Sequence, residues 1–295
     1  MSKINIEFTL FSAFYTPLII TMAGGFLKRE GLDYEWTVSP PGVAAVDAIT
    51  AGTAQVVQSA PSQAFNAIQR GEQDYPLHFA QVNEMDGFFI AARAADEAFD
   101  WRKLEGAEVV MFGGGQPNAM LRYACHRAGV DFSKIRAITP GGPDAIDQAF
   151  RQGQGQYVQQ QGPYPQQLQL DGQAHIVAQV GPLIGACAFS SLAASPEWLD
   201  SDMAVAFTRA YGAARRFLNE APADEIASLE QDWFPEVGAE ALRDCIASYQ
   251  ALGCWTPHVE ITPEALEVTL DVFEYTGGIE ARYRYDQICA LPPSL

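Results

Sequence analysis

The sequence predicts an α/β protein of two lobes, each built on a parallel-rich sheet, with a ligand cleft between them. Three observations carry this prediction: the chain resembles itself at an offset of about one hundred residues, strand and helix patterns alternate within each copy, and only helical patterns follow Ser195-Pro196. In the repeat, Gly31-Leu32-Asp33-Tyr34 recurs as Gly129-Val130-Asp131-Phe132, and Thr37-Val38-Ser39-Pro40-Pro41-Gly42 recurs as Ala137-Ile138-Thr139-Pro140-Gly141-Gly142. Gly52 to Gln58 with Pro61 matches Gly153 to Gln159 with Pro163, each a strand that runs into a Pro-containing loop.

Each copy opens on a strand, Ile4 to Leu10 in one and Glu108 to Phe112 in the other. A loop and a helix follow, over Pro17 to Arg29 and Pro117 to Ala128. Crossovers of this length join parallel strands and place helices on both faces of a sheet. Asn83-Glu84-Met85-Asp86-Gly87-Phe88 ends a fourth strand and leads into the second lobe, and Gly185-Ala186-Cys187 marks the return. The expected lobes are therefore 1–90 with 188–295, and 91–187. The glutamine-rich run Gln152 to Gln173 reads as strand, loop and helix because it matches the first copy. Four amphipathic helices are expected over Met203–Asn219, Ala223–Gln231, Ala239–Leu252 and Thr262–Tyr275, the last capped by Thr262 before Pro263, and all are expected to pack on the first lobe.

Composition removes several function classes. Eighteen basic against thirty-six acidic residues give a net charge of −18, which repels phosphate backbones and anionic lipid, so neither nucleic acid nor membrane insertion is expected. No apolar run approaches the ~18 residues of a membrane span. Five dispersed cysteines, an odd number with no CxxC pair, fit reduced thiols. The strand pattern begins within a few residues of Met1, which reads as cytoplasmic for the chain as printed and as periplasmic if a leader has been removed.

Several segments, in order along nearly the whole chain, resemble a known family. These are Gly24-Gly25-Phe26-Leu27-Lys28-Arg29-Glu30-Gly31-Leu32-Asp33, Leu104-Glu105-Gly106-Ala107-Glu108-Val109, Ala128-Gly129-Val130-Asp131, Phe207 to Tyr211 with Phe217-Leu218, and Gly253-Cys254-Trp255 ahead of Ile261-Thr262-Pro263-Glu264. Together they resemble the type II periplasmic-binding-protein fold, and within it the nitrate, sulfonate and pyrimidine-precursor binders related to thiamine-precursor synthases. The resemblance implies a solute-binding protein of an ABC transporter that closes about a hinge on a small polar or heteroaromatic molecule. Two departures stand out. Gln55 and Gln156 occupy positions where the family carries Asp, and the region Gly185 to Ser190 lacks the synthases' cysteine-rich iron-binding run. The alternative of a cytoplasmic enzyme on the same scaffold, a pyrimidine-precursor or menaquinone-branch-like lyase or synthase, would rely on Asp86, Cys187 or a rim hydroxyl. The scattered His78, His126, His175 and His258 offer no metal-ligand spacing, so neither a metal nor a cofactor is expected.

Ligands of open α/β sheets sit at the carboxyl ends of the strands, where helix N-termini point their free N–H groups. That rule nominates Phe11, Ser12, Phe14, Tyr15, Ser39, Ser59, Pro61 and Asp86 from the first lobe. From the second it nominates Gly114, Gln116, Asn118, Thr139, Gln160 and Tyr164, with Gln161 beside them. The rim loops lack Lys and Arg, which favours a neutral polar or aromatic ligand: Phe11, Phe14, Tyr15 and Tyr164 for stacking, the amides for paired hydrogen bonds. The same aromatics suit a core, and Asp86 suits the cap of a hinge turn as well as a ligand contact. Gly113 to Gly115 lacks the Lys-Ser/Thr of a P-loop and reads either as a close approach to ligand or as a tight turn.

Overall fold

Ile4, Ile6 and Phe8 alternate inward along the first strand while Lys3, Asn5 and Glu7 do not, the period-two pattern of a strand buried on one face. The computed structural model describes residues 2–294. Its strands are β1 (Ser2–Phe8), β2 (Leu32–Val38), β3 (Val56–Ser59), β4 (Leu77–Asn83), β5 (Phe88–Ala92), β6 (Glu108–Val110), β7 (Arg136–Ile138), β8 (Tyr157–Gln161), β9 (His175–Gln179) and β10 (Ser190–Ala194). They form two sheets of identical plan, β2-β1-β3-β10-β4 and β7-β6-β8-β5-β9. Within each sheet β10 or β5 runs antiparallel to both of its neighbours, so four strands point one way and the inserted fifth points against them. The protein thus has two mixed-sheet α/β lobes, and the predicted repeat is the repeat of the sheets.

The symmetry reaches single side chains. Gln55 Oε1 accepts from the Asn5 backbone N–H at 2.8 Å, and Gln156 Oε1 accepts from Glu108 N–H at 3.2 Å. Each ties the approach to the third strand of its lobe to the first strand. The task needs an acceptor, which an amide supplies without adding charge.

The predicted helix over 17–29 is broken into Thr16–Ala23 and Phe26–Arg29, because Gly25 takes a left-handed conformation, φ 72°, at the join. The chain passes between sheets at residues 84–87 and again before β10, and β5 belongs to the second sheet from Phe88 onward. Of the C-terminal helices, Asp202–Glu220 packs on Thr16–Ala23 and Phe26–Arg29 as expected. Ala223–Glu230 packs on Thr16–Ala23 as expected; Ala239–Leu252 touches Ala13–Tyr15 and also lies against Tyr164–Leu170, and Pro263–Thr276 meets Phe65 and also lies against Gly115–Arg127, so these two reach the second lobe as well. Their apolar stripes are long enough to cover both.

Where the chain first crosses, Gly87 lies under an aromatic cluster of Phe14, Phe88, Phe89, Phe189 and Tyr249. A Cβ at Gly87 would stand 2.2 Å from Phe14 Cε2 and 2.7 Å from Tyr249 Cε1, both on buried rings. Gly87→Ala is therefore expected to destabilise the fold by about 2–3 kcal/mol, read as a lower urea midpoint with an unchanged m-value.

Candidate functional site

Two lobes of this plan bring the C-terminal ends of their parallel strands toward one another. A cavity of about 270 Å³ lies between those ends, close to the lower bound of ordinary small-molecule sites, ~300 Å³. Its first-lobe wall comes from Thr9-Leu10 and Tyr15 after β1 and from Gln58 to Ala60 at the end of β3, with Ser62 and Gln63 opening the helix Ser62–Gln69. Its second-lobe wall comes from Gly114 to Pro117 at the start of the helix Gly115–Arg127 and from Gln161 at the end of β8. Phe88, Phe112, Phe189 and Ser190 close the floor beside the two crossovers.

The glycine run divides its work. Gly115 needs a left-handed backbone, φ 67°, to turn into the helix, and a Cβ at Gly113 would press within 3.0 Å of Thr139. Gly114 is extended and open on the cavity side. The tight-turn reading holds at Gly115, and Gly114 leaves space for the close approach expected of the run.

None of the side chains lining this cavity is charged. Its polarity comes from amides, hydroxyls and two helix N-termini, each worth roughly half a positive charge. Among the described residues, Ser59 Oγ, Gln116 Oε1 and Gln161 Nε2 are buried without a hydrogen-bond partner, and both lobes contribute to the set. They are three of fourteen such side-chain atoms among the described residues, and all three belong to residues that line this cavity. The Tyr15 phenol faces Gln161 and Gln58, and burial pushes its pKa upward, so it stays a neutral donor.

The nominated residues separate into groups. Tyr15, Ser59, Gly114 and Gln116 line this cavity, whereas Phe11 and Tyr164 line a second one of about 360 Å³ on the other side of the same two loops. Ser12 holds the two cavities apart: its Oγ donates to the Gly162 carbonyl at 2.7 Å, while Gly162 N–H donates to the Tyr249 hydroxyl at 2.7 Å. Both bonds join the lobes.

The remaining nominees do structural work. Phe14 is fully buried among rings, since its place in the tight turn after β1 directs it inward. Ser39 donates to Glu7, and Pro61 is buried at the start of the helix Ser62–Gln69. Asn118 closes its own loop onto the Phe112 carbonyl at 3.0 Å, and Thr139 packs on Gly113. Gln160 is spent on the Pro143 carbonyl at 2.9 Å and on Gln161 N–H.

Asp86 caps the turn into β5, accepting from Phe88 N–H at 2.7 Å, and is fully buried. Desolvation raises its pKa to about 7. Cys187, the nucleophile of the enzymatic alternative, is fully buried with its thiol pushed well above the ordinary value by desolvation, which leaves almost no thiolate. Among the described residues no cluster of His, Cys, Asp and Glu could hold a metal ion, and no helix is long and apolar enough to cross a membrane.

Comparison with known proteins agrees with this architecture. A family model described as NMT1/THI5 like matches residues 13–225. A Bacillus subtilis (strain 168) protein provisionally named binding protein YtlA is 25% identical over 292 residues, covering 98% of this chain and 87% of the relative. Among solved structures, the ligand-binding component of an ABC-type import system from Staphylococcus aureus superimposes with a TM-score of 0.77 at 14% identity, over 99% of this chain and 97% of that one. The alkanesulfonate-binding protein SsuA from Xanthomonas axonopodis pv. citri gives 0.73 at 16%, over 100% and 98%. The nitrate-binding protein NrtA from Synechocystis PCC 6803 gives 0.65 at 15%, over 99% and 92%.

Proposed function

The chain belongs to the NMT1/THI5-like family, and from that premise we propose that it is the solute-binding component of an ABC-type importer, holding a small, neutral, planar polar solute of the heteroaromatic class between its lobes. The observation that carries this reading is the trio of unpaired buried atoms, Ser59 Oγ, Gln116 Oε1 and Gln161 Nε2, around a cavity without charged side chains. A ring bearing adjacent donors and acceptors answers those atoms, and Tyr15, Phe88, Phe112 and Phe189 supply aromatic surface for its faces. A fully charged solute would lack a counter-ion at the wall and would depend on helix dipoles alone.

The lobes follow from the crossovers: residues 1–90 with 188–295 form the first, and 91–187 the second, within a few residues. Ligand would enter as the lobes part at those crossovers and would be enclosed when the Ser12–Gly162 and Tyr249–Gly162 bonds form. Delivery to a permease places the protein on the outer side of the cytoplasmic membrane. Named relatives of similar fold bind sulfonate or nitrate, so these anions belong in the screen as the opposing case.

A thermal-shift screen of pyrimidines and other heteroaromatics against alkanesulfonates and nitrate tests the reading, since a ligand at one hundred times its Kd adds about 2.7 kcal/mol of stability. A shift with a neutral heteroaromatic recovered unaltered is expected, and shifts confined to anions would overturn the neutral assignment. With the ligand in hand, Gln161→Leu is expected to weaken binding about tenfold or more, because it removes a buried hydrogen bond worth ~1–2 kcal/mol and strands its partner. Asp86→Asn and Tyr164→Ala, which lie off this cavity, are expected to leave affinity within about twofold.

A further inference from the structure

The second cavity has a chemistry of its own. One wall is aromatic: Phe234, Phe11, Trp36 and Trp233 follow one another as stacked rings with centroid separations of 5.0, 4.9 and 5.1 Å, and Phe11, Trp233 and Phe234 border the cavity directly. The facing wall belongs to the second lobe and carries Asp144 and Asp147, with Glu236 on the rim. Arg151 is the one cation lining it, and its guanidinium is already engaged by Asp147 at 2.6 Å and by Asp171 at 2.7 Å.

Asp147 is incompletely used. Its Oδ2 meets Arg151, while its Oδ1 is buried with no partner among the described residues. The Tyr164 hydroxyl is committed to Asp144. A cavity with ring faces on one side, carboxylates on the other and no free cation is suited to a positively charged solute with an apolar body. The rings attract the cation through their quadrupole, and a carboxylate supplies its counter-charge. An anion would meet Asp144, which has no cation among the described residues, and Asp147, whose Arg151 is shared with Asp171, and a plain hydrocarbon would leave Asp147 Oδ1 unpaired.

We propose that this cavity is a second binding site, specific for organic ammonium ions, assembled only when the aromatic wall beside the first lobe meets the acidic wall of the second. It is distinct from the site assigned to the solute of the neighbouring cavity. The two sites share the loops 9–15 and 161–164 and are partitioned by Ser12, Gly162 and Tyr249. An ammonium ion seated here therefore favours the closed arrangement of both sites.

Isothermal titration of the full chain with choline chloride and with benzylammonium chloride, against sodium chloride at equal ionic strength, tests the proposal. Saturable binding is expected, weakened at least tenfold by Asp147→Asn and by Trp233→Leu, and left within twofold by Gln161→Leu in the other cavity. Absence of saturable binding up to tens of millimolar overturns it, as does binding undiminished in Asp147→Asn. Should Trp233→Leu fail to fold, Asp147→Asn, which preserves volume, still decides. Loss of ammonium binding with heteroaromatic binding intact would remove this site alone, and the reverse would remove only the neighbouring assignment.

Discussion

Replacing Arg215 with methionine is expected to lower the stability of the fold by about 2–5 kcal/mol, the scale of leaving buried carbonyls without their donor. Arg215 is fully buried on the helix Asp202–Glu220. Its guanidinium donates to the Gln81 carbonyl at 2.6 Å, the Val82 carbonyl at 3.1 Å and the Thr256 carbonyl at 2.8 Å, and to Thr256 Oγ1 at 3.0 Å. The side chain thus fastens β4 and the 253–256 turn to the helical layer. Methionine fills most of the volume but takes the guanidinium from the Val82 and Thr256 carbonyls, each costing roughly 1–3 kcal/mol if water cannot reach it, while the Gln81 carbonyl keeps the Tyr211 hydroxyl at 2.6 Å. Urea unfolding of Arg215→Met, compared with Arg216→Met on the same helix, provides the check: a midpoint matching that of the neighbouring variant would show the network to be worth little.

Stability is expected to fall as pH rises from about 6 to 8.5, by about 3 kcal/mol in total. Glu230 is fully buried with Thr16 Oγ1, at 2.9 Å, as its one hydrogen-bond partner among the described residues, and desolvation raises its pKa to about 8. Asp86 is raised to about 7 by the same cause. Both carboxyls keep a proton in the folded chain at a pH where the unfolded chain has already released it. Their stabilisation is complete below the ordinary carboxyl range and is lost as pH climbs to their folded values. His78 works in the opposite sense. Burial lowers its pKa to about 3, so the unfolded chain takes up a proton first and stability rises with pH up to the ordinary histidine value near 6.5. The slopes partly cancel below that point and the carboxyls act unopposed above it, so the decline is steepest between about 6.5 and 7. Urea midpoints from pH 5.5 to 8.5 should show it, with Glu230→Gln flattening the upper part of the curve. A midpoint independent of pH above 6 in the parent chain would contradict this account.

The strand and helix order was legible because it rests on local signals: alternation in Ile4 to Leu10, the Thr262-Pro263 cap, and a repeat that matches turn chemistry in both copies. Ala239–Leu252 forms with the expected bounds. Which lobe a helix would cover was not legible, since an amphipathic stripe records that a face is buried and not against what. The site was readable as loops and much less so as residues. In Gln159-Gln160-Gln161 the side chains alternate faces, so Gln161 reaches the cavity while Gln160 turns to the Pro143 carbonyl; three identical letters carry no phase. Phe88, Phe112 and Phe189 stand near strand ends where an apolar residue looks like core, and Trp233 joins its partners from two hundred residues away. Asp86 takes the turn-capping role of the two that its place beside the hinge suggested, accepting from Phe88 N–H, and burial raises its pKa to about 7.

The insertion of β10 between β3 and β4 sets an order on synthesis. Every strand of the second sheet is contained in residues 88–179, so that sheet can be completed as soon as its own segment emerges. β4 is made earlier, yet among the described residues its one strand partner is β10, across Leu77–Asn83 and Ser190–Ala194, beside a single bridge from His78 to the still later Cys289. For the roughly hundred residues translated in between, some 5–20 s at the usual ribosomal pace, Leu77–Asn83 waits with an unpaired edge while a whole lobe folds behind it. The lobe that begins the chain is the last to close, and a nascent chain stalled before Ala194 would expose an apolar strand that the finished protein never shows.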